Sequence, residues 1–335
     1  MDVLIDKWFG SELLDKGARF SSYDLVERFI ADAHLDWSVA PVTAKVVGDF
    51  QNLLSGLSDR EFAFLVCHSG YIPEIYAADS AAETLYSKLI EVIVQQWALR
   101  VGFDRSILPT QKSSKEDVTI RDADSVIVCD AKSYRLGRSQ KAPNVKDALK
   151  QGDIRKWLRA YPEEQQLGGL VTFPSQHDWT SGSDFYMYLT DYTSPIVMLF
   201  YEHLSFLLLN NVDRELLKKF YRSHRSLFPK AYSRIEKNRS VYFEILDREL
   251  IGPSGSESQE FFELSDFISR EKATYSLGKM HQHLRESRLE IENNIERTMS
   301  KKDLVRELAD ARFNSLNSNF LRQAMNIELF RKLLK

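Results

Sequence analysis

The chain has 335 residues, a formal net charge of -3 and 43% hydrophobic side chains, enough for one large domain or two smaller ones with a real core. Cys67 and Cys129 are the only cysteines, which excludes a disulfide framework and a cysteine-based zinc site.

Asp2, Asp6 and Lys7 interrupt the N-terminus too early for a secretion signal. No stretch approaches the about 18 uninterrupted apolar residues of a membrane span. A reduced cytoplasmic protein is expected. No internal repeat is visible.

Residues 1–60 read as an N-terminal helical region packed on a core or on a partner subunit. Ser21-Ser22-Tyr23-Asp24 has the composition of a cap ahead of Leu25, Phe29 and Ile30. Pro41 opens a further helix with Val42, Val46, Val47, Phe50, Leu53 and Leu54 as its apolar stripe. Ser58 to Ser69 continue as helix up to Gly70, and Pro73 lies in a connector. From Asp79 to Arg100 the spacing of Leu85, Leu89, Val92, Ile93, Gln96 and Trp97 predicts a long helix. Glu83 and Glu91 sit on it and are read as part of its solvated face.

After a polar loop at Leu108–Lys115 come two β-rich runs, Lys115 to Ile120 and Ser125 to Lys132. The first carries Asp117 near its start and the second carries Asp130 near its end. Lys132 follows Asp130 by two residues, so both side chains leave the same face of an extended strand. Two carboxylates supply hard oxygen ligands suited to Mg²⁺, and a neighbouring ammonium can stabilise phosphorane charge or orient water. Asp122 and Asp124 read as turn residues between the runs, with a metal-ligand role as the rival reading. Cys129, inside an apolar strand pattern, reads as a buried thiol.

Basic residues then crowd a single stretch of a slightly acidic chain: Lys132, Arg135, Arg138, Lys141, Lys146, Lys150, Arg155, Lys156 and Arg159, opposed only by Asp147 and Asp153. Such a block beside a candidate metal site reads as a phosphate-backbone surface. Residues 133–146 form a loop, and Val145 to Ala160 an amphipathic helix with Ala148, Leu149, Ile154, Trp157 and Leu158 inward. Asn144 has the chemistry to read adenine and reads equally as a solvated loop residue.

Gly169 to Phe173 and Pro195 to Phe200 are buried core strands. Tyr201 opens a helix through Leu209, and Glu202 and His203 are read as a buried structural pair or cap rather than as catalysts. Lys230 to Leu250 is helical, Gly252 to Ser256 is a break, and two or three helices follow from Ser258 to Leu334. Leu284, Leu289, Ile291, Ile295, Leu304, Leu308, Phe313, Leu316, Phe320 and Leu321 mark their apolar stripes.

The run from Val128 to Ser139 resembles the catalytic segment of type II restriction endonucleases of the HindIII kind. Gly70 to Glu74, Glu83 to Lys88 and Leu199 to Leu204 agree with it in order and spacing, so the resemblance covers about residues 60–210. It implies an α/β restriction-endonuclease-like (PD-(D/E)XK) core with a mixed sheet flanked by helices. That core would span 61–215 and carry catalysis and DNA recognition. Residues 216–335 would be a helical region for dimerisation or for embracing DNA. The motif's first half departs from the pattern, because Glu116 and not proline precedes Asp117.

The resemblance further implies Asp117, Asp130 and Lys132 as catalytic residues, and Asp117, Asp130 and the Ala131 carbonyl as Mg²⁺ ligands. DNA contacts would come from Ser133, Tyr134, Arg135, Arg138, Lys141, Asn144, Lys146, Asp147, Lys150 and Lys156. The activity implied is cleavage of double-stranded DNA at a short palindrome, with AAGCTT as the candidate site, by a homodimer paired with a cognate DNA methyltransferase. In such folds a helix glutamate, here Glu83 or Glu91, can touch the metal through water. The rival functions are a structure-dependent repair or recombination nuclease of the same fold, and a non-catalytic DNA-binding module.

Overall fold

The structure is a computed structural model that describes residues 1–109, 115–136, 149–179, 189, 195–228, 239–255 and 257–333. Five strands form one mixed sheet in chain order: β1 (Arg105–Ile107), β2 (Val118–Arg121), β3 (Val126–Ala131), β4 (Gln166–Phe173) and β5 (Ile196–Phe200). β1, β2 and β3 pair antiparallel, while β3, β4 and β5 run parallel. The parallel half is apolar and fully buried from Ile196 to Phe200, as a strand covered on both faces requires.

Helices flank the sheet. The N-terminal set is α1 (Asp2–Phe9), α2 (Lys16–Tyr23), α3 (Leu25–Ala33) and α4 (Thr43–Ser55). Next come α5 (Asp59–Cys67), started by a Ser58–Glu61 capping box, and α6 (Ala81–Arg100), which packs on β1, β2 and β3. α7 (Gln151–Leu158) lies on β3 and β4, α8 (Tyr201–Leu209) packs on α5, and α9 (Arg214–Leu227) on β4. α7 starts six residues later than the periodicity predicts, and residues 145–148 lie outside the described part. Gly169 is a packing glycine: a Cβ there would stand 2.5 Å from Ile154 of α7. α10 (Arg239–Leu246) passes through one π-helical segment, Asp247–Ile251, into the break at Gly252.

The cap expected at residues 21–24 does not form. Ser21 and Ser22 lie inside α2, and Asp24 precedes α3 with a helical backbone and no side-chain cap. Its carboxylate instead accepts the Tyr275 hydroxyl at 2.6 Å. Tyr275 lies on α11 (Ser258–Thr298), which is tied to the N-terminal helices at several points. Arg19 makes a two-pronged pair with Glu271, at 2.7 and 2.8 Å. Lys272 donates to the Tyr23 carbonyl at 2.6 Å.

The chain divides into two compact units, Met1–Leu277 and Gly278–Lys335. The second comprises the end of α11 and α12 (Lys301–Leu333), and its described Leu284, Leu289, Ile291, Leu304, Leu308, Phe313 and Leu316 are exposed. Cys67 and Cys129 are buried free thiols. Among the described residues no helix is long and apolar enough to cross a membrane.

Candidate active site

The β2–β3 hairpin builds the centre. Its register ends with Val118 against Cys129, and Asp117 and Asp130 are the residues that follow at the mouth of the hairpin. Both carboxylates stand where the hairpin opens, close enough for the charge of Asp130 to act on Asp117. The Asp117 amide donates to the Cys129 carbonyl at 2.9 Å, and Asp117 Oδ2 accepts the Ala131 amide at 2.8 Å. Lys132 Nζ stands 2.7 Å from Asp130 Oδ2. Burial, and then the charge of Asp130, raise the Asp117 carboxyl well above the usual carboxylate range.

A third acid, Glu91, feels the charge of both. Glu91 of α6 is largely buried and pairs with Lys88 Nζ one helical turn earlier. Burial, then the charge of Asp117, push its carboxyl up to about 8, with Asp130 adding a smaller push. Glu91 therefore belongs to the same electrostatic cluster and not to a solvated face. α6 is buried around most of its circumference (Leu85, Tyr86, Leu89, Ile90, Val92, Ile93, Val94 and Trp97), which leaves no open polar face for Glu91. Among the described residues no three such side chains converge on one metal-holding point.

Glu83 lies elsewhere: it accepts Arg135 at 2.9 Å and the Asp79 amide at 2.6 Å. Arg135 also donates to the Pro73 carbonyl at 3.1 Å, so this member of the basic block is tied to the protein itself. The Tyr134 ring packs at a tilt against Phe173 with centroids 4.5 Å apart. Ser133 Oγ is buried without a hydrogen-bond partner among the described residues. Lys150 and Lys156 are exposed on α7 and its start. Arg138, Lys141, Asn144, Lys146 and Asp147 lie outside the described residues.

Asp122 and Asp124 face away from the metal role. Lys218 of α9 reaches Asp122 at 3.1 Å, Asp124 at 2.9 Å and Glu215 at 2.9 Å, and Arg214 reaches Asp122 at 3.2 Å. They are turn residues locked by cations nearly a hundred positions later. Glu202 is fully buried, accepting the Gln176 amide at 2.8 Å and Ser175 Oγ at 3.1 Å. His203 Nδ1 accepts the Phe200 amide at 3.1 Å and so caps α8. Both behave as structural residues, as the sequence suggests. Glu116 is held by Thr119 Oγ1 at 2.7 Å and Tyr161 Oη at 2.5 Å, fixing the strand entrance immediately before Asp117. The sequence carries no signal for the Tyr161 contact.

The model of the HindIII restriction endonuclease family matches residues 55–261, more than half of the chain. The chain belongs to the HindIII restriction endonuclease family. It is a nuclease whose substrate is DNA, on a restriction-endonuclease-like fold. The HindIII-family match contains Asp117, Asp130 and Lys132 together with Glu91 and the whole sheet. It leaves out α1 to α3, all but the last residue of α4, nearly all of α11 and the whole of α12, and with them the Arg19–Glu271 clamp. No individually curated protein matches the chain.

Proposed function

We propose that this HindIII-family chain is a type II restriction endonuclease that hydrolyses both strands of double-stranded DNA at a short palindrome, with AAGCTT as the first sequence to try. The observation that carries the proposal is the meeting of Asp117, Asp130 and Lys132 at the open end of the β2–β3 hairpin, inside the family-matched region.

The donor set fits Mg²⁺. Two aspartate carboxylates at one hairpin end, with Asp130 raising the Asp117 carboxyl and Glu91 beside them, concentrate hard-oxygen charge that a divalent cation would neutralise. Asp117, Asp130 and the Ala131 carbonyl would hold the ion, which supplies Lewis-acid polarisation and a more acidic water. Lys132 leaves the Asp130 face as a compact ammonium, placed to stabilise charge on the phosphorane or to orient the attacking water. Hydrolysis breaks the bond to the 3′ oxygen and leaves a 5′-phosphate and a 3′-hydroxyl.

Lys150 and Lys156 would grip phosphate. Base reading would fall to the segment from Ser133 to Asp147, including Tyr134, Arg138, Lys141, Asn144 and Lys146. A homodimer follows from palindromic reading, because two-fold protein symmetry matches two-fold DNA symmetry. In a cell, cutting of this kind pairs with a methyltransferase that protects the host's own copies of the site. Digestion of a DNA of known sequence with Mg²⁺, followed by sequencing of the ends, tests the proposal. One recurrent sequence at every cut supports it, and structure-dependent nicking without a common sequence would overturn it.

A further inference from the structure

At its C-terminal end the parallel ladder between β3 and β4 loses a hydrogen bond, and that bond belongs to Lys132. The register pairs Ala131 with Thr172, so the Lys132 amide donates to the Thr172 carbonyl, at 3.0 Å. In a parallel ladder the Lys132 carbonyl would next accept from the amide of residue 174. Residue 174 is proline and has no N–H to give. A side chain supplies the missing donor: Tyr201 Oη donates to the Lys132 carbonyl at 3.1 Å. Thr172 Oγ1 donates in turn to Tyr201 Oη at 3.2 Å. Thr172 and Tyr201 thus close a ring of hydrogen bonds around both backbone polar groups of Lys132, and both are fully buried.

Room for the tyrosine is made by Gly70. Its φ of +87° is a conformation that glycine adopts without strain, and a Cβ there would stand 2.5 Å from Tyr201 Cε2 and 3.0 Å from Pro174 Cγ. The Gly70 carbonyl also accepts the Tyr134 amide at 2.8 Å, so the chain is pinned again two residues beyond Lys132.

We propose that Tyr201 is a positioning residue for DNA cleavage: its hydroxyl replaces the donor that Pro174 lacks and fixes the backbone from which Lys132 reaches the scissile phosphate. The inference rests on the role proposed above for Lys132. A lysine stem has four rotatable bonds, so its ammonium is aimed only as well as its Cα is held. Misplacement of a reacting group by about 1 Å can cost about a hundredfold in rate.

The test uses the full-length protein and single-turnover cleavage in Mg²⁺, with DNA affinity measured separately in Ca²⁺. Tyr201→Phe keeps the ring and removes only the donor, and Thr172→Val removes the hydroxyl that orients it. Each is expected to slow cleavage about tenfold, with affinity unchanged within about twofold and the melting temperature lowered by only a few degrees. The double variant should be no slower than Tyr201→Phe alone, because the ring is already open. Tyr201→Phe cleaving at the wild-type rate overturns the proposal. So do losses that multiply in the double variant, and a loss that appears equally in DNA affinity. Lys132→Ala, run beside them, separates the two levels. If it cuts at the wild-type rate, the role of Lys132 falls and this inference with it. If it is inactive while Tyr201→Phe is unimpaired, only the inference falls.

Discussion

Lys132 Nζ and Asp130 Oδ2 stand 2.7 Å apart, on the same face at the end of one strand. An extended chain repeats its facing every two residues, so this contact is written into the spacing Asp130-Ala131-Lys132. The ammonium neutralises one acid of a crowded cluster, while the Ala131 amide engages the other through Asp117 Oδ2. Removing either carboxylate charge therefore relieves repulsion while destroying the hard-oxygen set. Asp117→Asn and Asp130→Asn are expected to lower cleavage by more than about a hundredfold, about 2.7 kcal/mol. DNA binding should be retained or tightened. Cleavage rates beside binding in Ca²⁺ check this, and a purified Asp130→Asn protein that cuts near the wild-type rate would remove Asp130 from the site.

Lys132→Ala should lose more than nine-tenths of the turnover, at least about 1.4 kcal/mol, with the fold intact. Lys132→Arg should not restore it. A planar guanidinium is a poor replacement for a compact ammonium that sits 2.7 Å from a carboxylate with little room around it. Rates for both variants, with circular dichroism as the folding control, decide the point.

Charge that grips phosphate acts on all DNA, whereas a base reader acts on one sequence. Lys150→Ala and Lys156→Ala should weaken cognate and non-cognate duplexes by similar factors, each lowering the salt slope by about one. Asn144→Ala should cost about 1–3 kcal/mol of discrimination on cognate DNA alone. Binding in Ca²⁺ across a salt series, with both duplexes, separates these patterns. An equal loss on both duplexes in Asn144→Ala would move the search to Arg138 and Asp147.

What the sequence discloses and what it hides follow from range. Asp130 and Lys132 are legible because an apolar run, Val126 to Cys129, fixes the strand and hence the facing of everything after it. Asp117 is legible because a second short run pairs with the first across a tight turn. Glu91 is not. Its helix is buried almost all round, so periodicity cannot say which polar position is turned inward, and only packing on β1, β2 and β3 brings it within reach of the aspartates' charge. Arg135 reads as one more cation of a basic block until α6 supplies Glu83. The partner of Asp122 and Asp124 lies on α9, at a distance along the chain that no local pattern spans.

That α9 contact carries its own prediction. The Lys218 ammonium is nearly buried, and Asp122 beside it is more deeply buried still. Lys218→Met would leave Asp122 with the Arg214 guanidinium and the Asp104 amide, and is expected to destabilise the fold by about 3 kcal/mol. Adding Asp122→Asn should recover part of the loss, since it removes the stranded charge. Urea unfolding of the two variants tests this. A loss under about 1 kcal/mol would make the network a surface ornament.

Glu202 gives a prediction in pH. Burial raises its carboxyl to about 8 from an ordinary 4.5, against the opposing hydrogen bond from the Gln176 amide. The folded protein thus holds a proton that the unfolded chain has released. Its contribution to stability is full below about pH 4.5, declines as pH rises, and is exhausted above about pH 8. Glu91 and Asp117, also raised, slope the same way. Glu202→Gln keeps an acceptor for Ser175 and Gln176 and cannot ionise. Its melting temperature should decline less than that of the wild type between about pH 5 and pH 8. Parallel slopes for the two proteins would contradict the assignment.

The activity proposed is Mg²⁺-dependent, sequence-specific cleavage of both DNA strands at the Asp117–Asp130–Lys132 cluster. Its most direct test digests a phage genome of known sequence with the wild type and with Asp130→Asn, in Mg²⁺, and sequences every end. The expected result is discrete fragments from the wild type, one short palindrome at every cut with a 5′-phosphate on each end, and no fragments from Asp130→Asn. Ends without a common sequence, or an identical fragment pattern from Asp130→Asn, would contradict it.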